Sequence, residues 1–151
     1  MTTKHVQVYN ALVAALQSAP ALAGGRIKTM RDTNRAMPLE VTSQIRVSLD
    51  QTLPEQLIGG TAPVDWSTRI RIECLARDVL QPSVTFALDA VSDLAALVQS
   101  RVLSDAALQA LVSQVLPAPM QWTDDEADTA LVACQCIFTL VHRTPFSNLM
   151  V

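Results

Sequence analysis

A chain of 151 residues is of single-domain size, long enough to bury a core of ordinary depth without metal or disulfide staples. Half of it is apolar, only 17% is charged, and the mean hydropathy of +0.27 is high for a soluble monomer, so some apolar surface is expected to end against another chain. Eleven Lys and Arg against fourteen Asp and Glu leave a formal charge of -3, the wrong sign for a protein whose main affinity is for phosphate backbones, which argues against nucleic acid as a partner.

The opening MTTKHVQVYNALVAALQ lacks the basic start and continuous apolar run of a signal peptide, so the chain is expected to be made and kept in the cytoplasm. Thr2 or Thr3 caps a first helix running to about Ser18, with Val6, Tyr9, Val13 and Leu16 at helical spacing. Val8, Leu12 and Ala15 widen its apolar arc, and Pro20 with Gly24-Gly25 stops it. Arg26 to Met30 reads as a short strand and Arg31 to Arg35 as an exposed turn. From Gln44 to Asp50, Ile45, Val47 and Leu49 alternate with Arg46, Ser48 and Asp50, which predicts an amphipathic strand. Gln51 to Pro63, with Pro54, Gly59-Gly60 and Pro63, reads as an irregular loop projecting from the body.

DWSTRIRIECLAR, from Asp65 to Arg77, predicts a strand with two unlike faces. Trp66, Thr68, Ile70, Ile72, Cys74 and Ala76 share one face, and Ser67, Arg69, Arg71, Glu73, Leu75 and Arg77 the other. Pro82-Ser83 then starts a long helix with Ser83 at the N-cap and Val84, Leu88, Val91, Ala95, Val98 and Val102 as its apolar stripe, widened by Phe86, Ala90 and Leu97. Ser104-Asp105 caps a short turn through Leu108, and Leu111 to Met120, broken by Pro117 and Pro119, reads as an irregular edge strand. Trp122 to Asp128 is an acidic connection, and Thr129 to Arg143, apolar on both sides, is a central strand. Helices and strands in this order, without βαβ alternation, predict an α+β fold: two main helices packed on one face of a mostly antiparallel sheet, the other face left partly polar.

Three features carry possible chemistry. Cys134-x-Cys136 with His142, and Cys74 on a neighbouring strand, has zinc-ligand residue types, but residues i and i+2 of a strand stand about 6.6 Å apart, too far for a tetrahedral site with sulfur bonds of about 2.3 Å. The thiols therefore read as buried core, with no metal or other cofactor expected. Asp124, Asp125, Glu126 and Asp128 lack the glycine turn of a calcium loop and read as a solvated turn or a contact for a basic partner surface. His5 and His142 stand on different elements, and neither a phosphate loop nor a nucleophile elbow is present, so no enzyme activity is expected. The face of Arg69, Arg71, Glu73 and Arg77 reads either as a solvated sheet face or as an interface, where arginine is enriched.

Taken in order, the apolar first helix, WSTRIRIECLAR, ALDAVSDLAALVQSRVLSDAAL from Ala87 to Leu108, and QWTDDEADTALVACQCIFTLVHRT from Gln121 to Thr144 resemble the bacteriophage tail terminator family. The resemblance covers Trp66 to Thr144 and, more loosely, the first 65 residues. It implies a structural virion protein forming a homo-oligomeric ring, typically a hexamer, that caps the tail tube, stops its polymerisation and offers a surface for head-tail joining. The implied partners are further copies of itself, the tail tube protein and the head-tail connector protein, with no membrane and no nucleic-acid specificity. On that reading Arg69, Arg71, Glu73 and Arg77 face a neighbouring subunit or the lumen, Arg31 and Arg35 with the 51–63 loop touch neighbouring rings, and Asp124 and Asp125 pair with a basic partner. Two other readings stand beside it: a head-completion or adaptor protein, and a regulatory domain binding a small molecule between helices and sheet.

Overall fold

The frame of the fold is one long antiparallel pair, β3 (Val64–Arg77) with β6 (Leu131–Thr144), seen here in a computed structural model that describes residues 2–30, 32, 35–55, 63–79, 86–124 and 130–145. Their pairing runs unbroken from Val64 opposite Thr144 to Arg77 opposite Leu131. Alternation with period two then fixes the two faces of both strands together. Ile70 lies opposite Phe138, Ile72 opposite Cys136 and Cys74 opposite Cys134 on one face, while Arg71 meets Ile137 and Glu73 meets Gln135 on the other.

β2 (Ser43–Pro54) adds to the free side of β3, and the two-residue β1 (Ile27–Lys28) lies parallel outside it. β4 (Gln114–Pro117) and β5 (Gln121–Asp124) follow one another along the free side of β6, so β6 is central. They form in effect one edge strand whose register slips by a residue between Pro117 and Gln121, though the Ala118 N–H still donates to the Ile137 carbonyl over 2.8 Å. Prolines lack the N–H a ladder needs, and an edge is where that lack is tolerated.

α1 (Lys4–Gln17), α2 (Ala87–Ser104) and the short α3 (Ala106–Leu111) cover one face of the sheet. Val8, Leu12 and Leu16 of α1, Val91, Ala95, Val98 and Val102 of α2, and Leu108 of α3 bury against Ile45, Val47, Ile70, Ile72, Phe138 and Leu140. The fold is α+β with a mostly antiparallel sheet, as the pattern of the sequence predicts. Polar groups tie the helices together at their ends, where backbone donors and acceptors lack helical partners. Arg101 of α2 donates to the Ser18 carbonyl (2.5 Å) and the Pro20 carbonyl (2.9 Å) just past α1. The Asp105 carboxylate accepts from the Leu108 N–H at 2.7 Å and caps α3.

Several expectations change. Gln51 to Pro54 is not loop: it continues β2, with Thr52 opposite Thr68 and Pro54 opposite Trp66, because a bulge after Leu49 resets the alternation; residues 56–62 lie outside the described part. α2 begins at Ala87 with Phe86 in the N-cap position, and the Ala87 N–H donates to the Asp78 carboxylate at 2.7 Å, a cap from the residue just past β3; Ser83 and Val84 are not among the described residues. Asp105 starts a helix rather than a turn, and Gln121 to Asp124 is strand rather than connection. Val6, Phe86, Leu88 and Leu97, expected in the buried stripes, are exposed, since a sheet beneath a helix covers a narrower arc than those stripes span. The outer face carries a small apolar cluster of its own, Met37, Leu75, Leu131 and Ala133 with Val41 against it, which covers one end of the sheet.

Replacing Ile70, fully buried between β2 and β6, by Ala is expected to cost about 2–5 kcal/mol, whereas Leu39→Ala, at 79% exposure, costs below about 0.5 kcal/mol; urea denaturation midpoints of the two variants check the ranking.

Candidate functional site

On the outer face, strand alternation lines up Arg46 and Ser48 of β2 with Glu73 and Arg71 of β3. Arg46 Nη1 donates to Glu73 Oε2 at 3.1 Å, and its Nη2 donates to the Arg35 carbonyl at 2.8 Å, pinning the segment that covers this end of the sheet. The bulge at Asp50 sets its carboxylate between two arginines: Arg71 Nη2 stands 2.8 Å from Oδ1, and Arg69 Nε 3.7 Å from Oδ2. A bulge re-aims a side chain in this way by placing two residues opposite one. Arg69 and Arg71 stay 42% exposed at the side chain, while the Nε atoms of Arg46, Arg69 and Arg71 are buried without a hydrogen-bond partner among the described residues. Further along, Asp65 faces Arg143 across β3 and β6 in a two-pronged pair of 2.7 and 2.8 Å, and that guanidinium holds the Asp65 carboxyl below its usual range. The face thus presents two half-exposed guanidinium groups, Arg69 and Arg71, of a kind suited to carboxylates.

The expected site residues divide. Arg69, Arg71 and Glu73 join one charged row with Arg46 and Asp50. Arg77 ends the strand, its N–H donating to the Thr42 carbonyl at 2.9 Å. Arg35 is exposed, 3.9 Å from Asp32, and touches the row only through its carbonyl. Asp124 is exposed on the edge strand opposite Val132, away from the row; Arg31 and Asp125 lie outside the described residues. Asp50 and the Asp65–Arg143 pair escape a sequence reading because strand register creates them. The break of alternation after Leu49 is the trace that Asp50's bulge leaves in the sequence.

On the helix face the two histidines, though on different elements, meet. His142 is 1% exposed, with Nε2 2.9 Å from Thr68 Oγ1 and 3.2 Å from His5 Nδ1. Thr68 Oγ1 reaches Thr52 Oγ1 at 3.1 Å, and the His5 ring stands edge-on to Trp66 with centroids 5.2 Å apart. Burial, aided by the positive charge of His5 and Lys4, brings the His142 pKa down to about 4. The sequence signal is a histidine in the apolar row of β6, directly opposite Trp66.

Cys74, Cys134 and Cys136 are free, buried thiols in the core. Its hydrogen bond to Cys136 and burial push the Cys74 thiol up, and burial pushes Cys134 to about 12. These two carry little thiolate, the reactive form, at neutral pH, whereas hydrogen bonding from Cys74 lowers the Cys136 thiol, which burial at 2% exposure shields from reagents. No group of three His, Cys, Asp or Glu suited to a metal occurs among the described residues, and no described helix is long and apolar enough to cross a membrane.

No family model matches the chain, and a comparison with curated proteins returns no match.

Asp50→Asn is expected to destabilise the fold by about 1 kcal/mol or less, since half-exposed ion pairs are worth little, as read from thermal midpoints in low and high salt. The three thiols should resist an aromatic disulfide reagent in the native protein and titrate together only in denaturant; one fast-reacting thiol under native conditions would contradict their burial.

Proposed function

We propose that this chain is a structural subunit of the tail terminator type, assembling head to tail into a ring that caps a phage tail tube, stops its growth and presents a surface for joining the head. The observation that carries the reading is the outer sheet face, where the side chains of Arg69 and Arg71 stay 42% exposed on either side of Asp50, beside the Arg46–Glu73 pair. Arginines in that state suit a protein surface bearing carboxylates better than bulk water, because a fork-shaped donor loses little freedom per bond made.

Two further features agree with a ring. A heterologous interface needs two different patches on every subunit, and the sheet has two unlike edges. One is β2 beyond Arg46, where no strand pairs on its outer side among the described residues; the other is the β4–β5 edge, with Leu116 and Trp122 exposed. Phe86, Leu88, Leu97 and Leu103 are exposed along α2, apolar surface of the kind the hydropathy leads one to expect at a contact with another chain. The order of motifs from Trp66 to Thr144 supplies the resemblance to terminators.

Native mass spectrometry should find closed oligomers of the wild-type chain, and Arg71→Glu should reduce them to smaller species while far-UV circular dichroism stays unchanged. Unchanged oligomer mass together with unchanged tail joining would remove this face from the reading. Tail length separates the terminator from an adaptor: loss of a terminator gives overlong tails, and loss of an adaptor leaves finished tails unattached.

A further inference from the structure

We infer that His5 and His142 form a proton-operated latch that holds the first turn of α1 against the end of the sheet and releases it in mild acid. The inference is independent of the ring: it rests on how two imidazoles and a threonine share too few acceptors.

His142 has two ring nitrogens in different surroundings. Nε2 has two neighbours, Thr68 Oγ1 at 2.9 Å and His5 Nδ1 at 3.2 Å, whereas Nδ1 is buried with no partner among the described residues. A buried N–H without an acceptor costs more than an empty lone pair, so the neutral ring carries its proton on Nε2 and leaves Nδ1 bare. Nε2–H then donates to Thr68 or to His5 Nδ1, and the Thr68 hydroxyl is free to turn to Thr52 Oγ1. Two imidazole nitrogens 3.2 Å apart also suit a chelated cation, but ligation through Nε2 would move the His142 proton to Nδ1, where no described residue accepts it.

The contact has no place for an added proton. On His142 it would sit at the partnerless Nδ1; on His5 it would sit at Nδ1, facing Nε2–H, so that two donors meet at 3.2 Å. Neighbouring charges give little relief. From α1, Lys4 adds repulsion; on β3, Asp65 is the carboxylate that favours the charged ring, and it is already engaged by Arg143 of β6. β4 and α3 bring no titratable side chain.

Which partner yields follows from the fold. His142 is held in the central strand, paired with β3 and followed along its other side by β4, whereas His5 lies in the first turn of α1 and is only half-buried. Further along α1, Val8, Leu12 and Leu16 are fully buried, and the Tyr9 hydroxyl donates to the Val47 carbonyl at 3.0 Å. Acid therefore frees the first turn and leaves the rest of the helix docked. Both histidines are lowered in the folded protein, His142 to about 4 from 6.5, so the neutral contact is favoured above pH 6.5 and weakens as pH falls from there through about 4.

Trp66 reports on the latch. In a Trp122→Phe background it is the sole tryptophan, and its emission should change between pH 6.5 and about 4 while far-UV circular dichroism stays constant. His5→Gln should abolish that change. Emission that is flat across the window, a change that survives His5→Gln, or one that coincides with loss of the dichroism signal would overturn the latch. An imidazole NMR titration of the wild-type chain tests His142 whatever the variants do: a pKa well below 6.5 is expected, and a value at or above 6.5 would overturn the proposal.

Discussion

The uninterrupted pairing of β3 with β6 is the constraint on which the rest depends. Fourteen residues on each strand share one register, so a single choice of phase decides which side chains meet the helices and which meet whatever lies outside. Slipping β3 by one residue against β6 would send Ile70 and Ile72 outward and bring Arg69 and Arg71 under α2. The penalty for burying two unpaired guanidiniums, added to the loss of several core side chains, exceeds the whole stability of an ordinary domain. The charged row therefore stays fixed in place by the core behind it.

The bulge at Asp50 extends that control to the third strand and serves both faces. Without it, Gln51 would stand opposite Thr68 on the helix face; with it, Thr52 takes that place and its hydroxyl joins the Thr68–His142 chain. The same extra residue leaves the Asp50 carboxylate between Arg69 and Arg71. One local irregularity thus supplies a polar partner to the buried network and a counter-charge to the exposed row.

The two sites differ in the kind of environment they occupy. The outer row is half in water, where ion pairs contribute little to stability and remain available for exchange with another surface. The histidine pair is inside, where an unsatisfied donor is costly and a proton is felt strongly. Stability accordingly lies mainly with the helix-covered face.

Periodicity alone carried much of the architecture: the faces of β3 and β6, the central place of β6, the proline-broken edge and the α+β arrangement all follow from where apolar side chains recur, because burial must respect a period of two or 3.6. It also placed Arg69, Arg71 and Glu73 together on the uncovered face. Tertiary structure alone decided what depends on which strand lies beside which. Asp50 became the arginines' partner through a bulge that reads in the sequence as the end of a strand, and Asp78, just past β3, became the cap of α2. His5 and His142, separated by 137 positions, became neighbours because α1 settles on the end of the sheet where Trp66 and His142 face each other. Residue patterns record which way each side chain must point, while contacts between distant elements depend on register and docking, which no local period encodes.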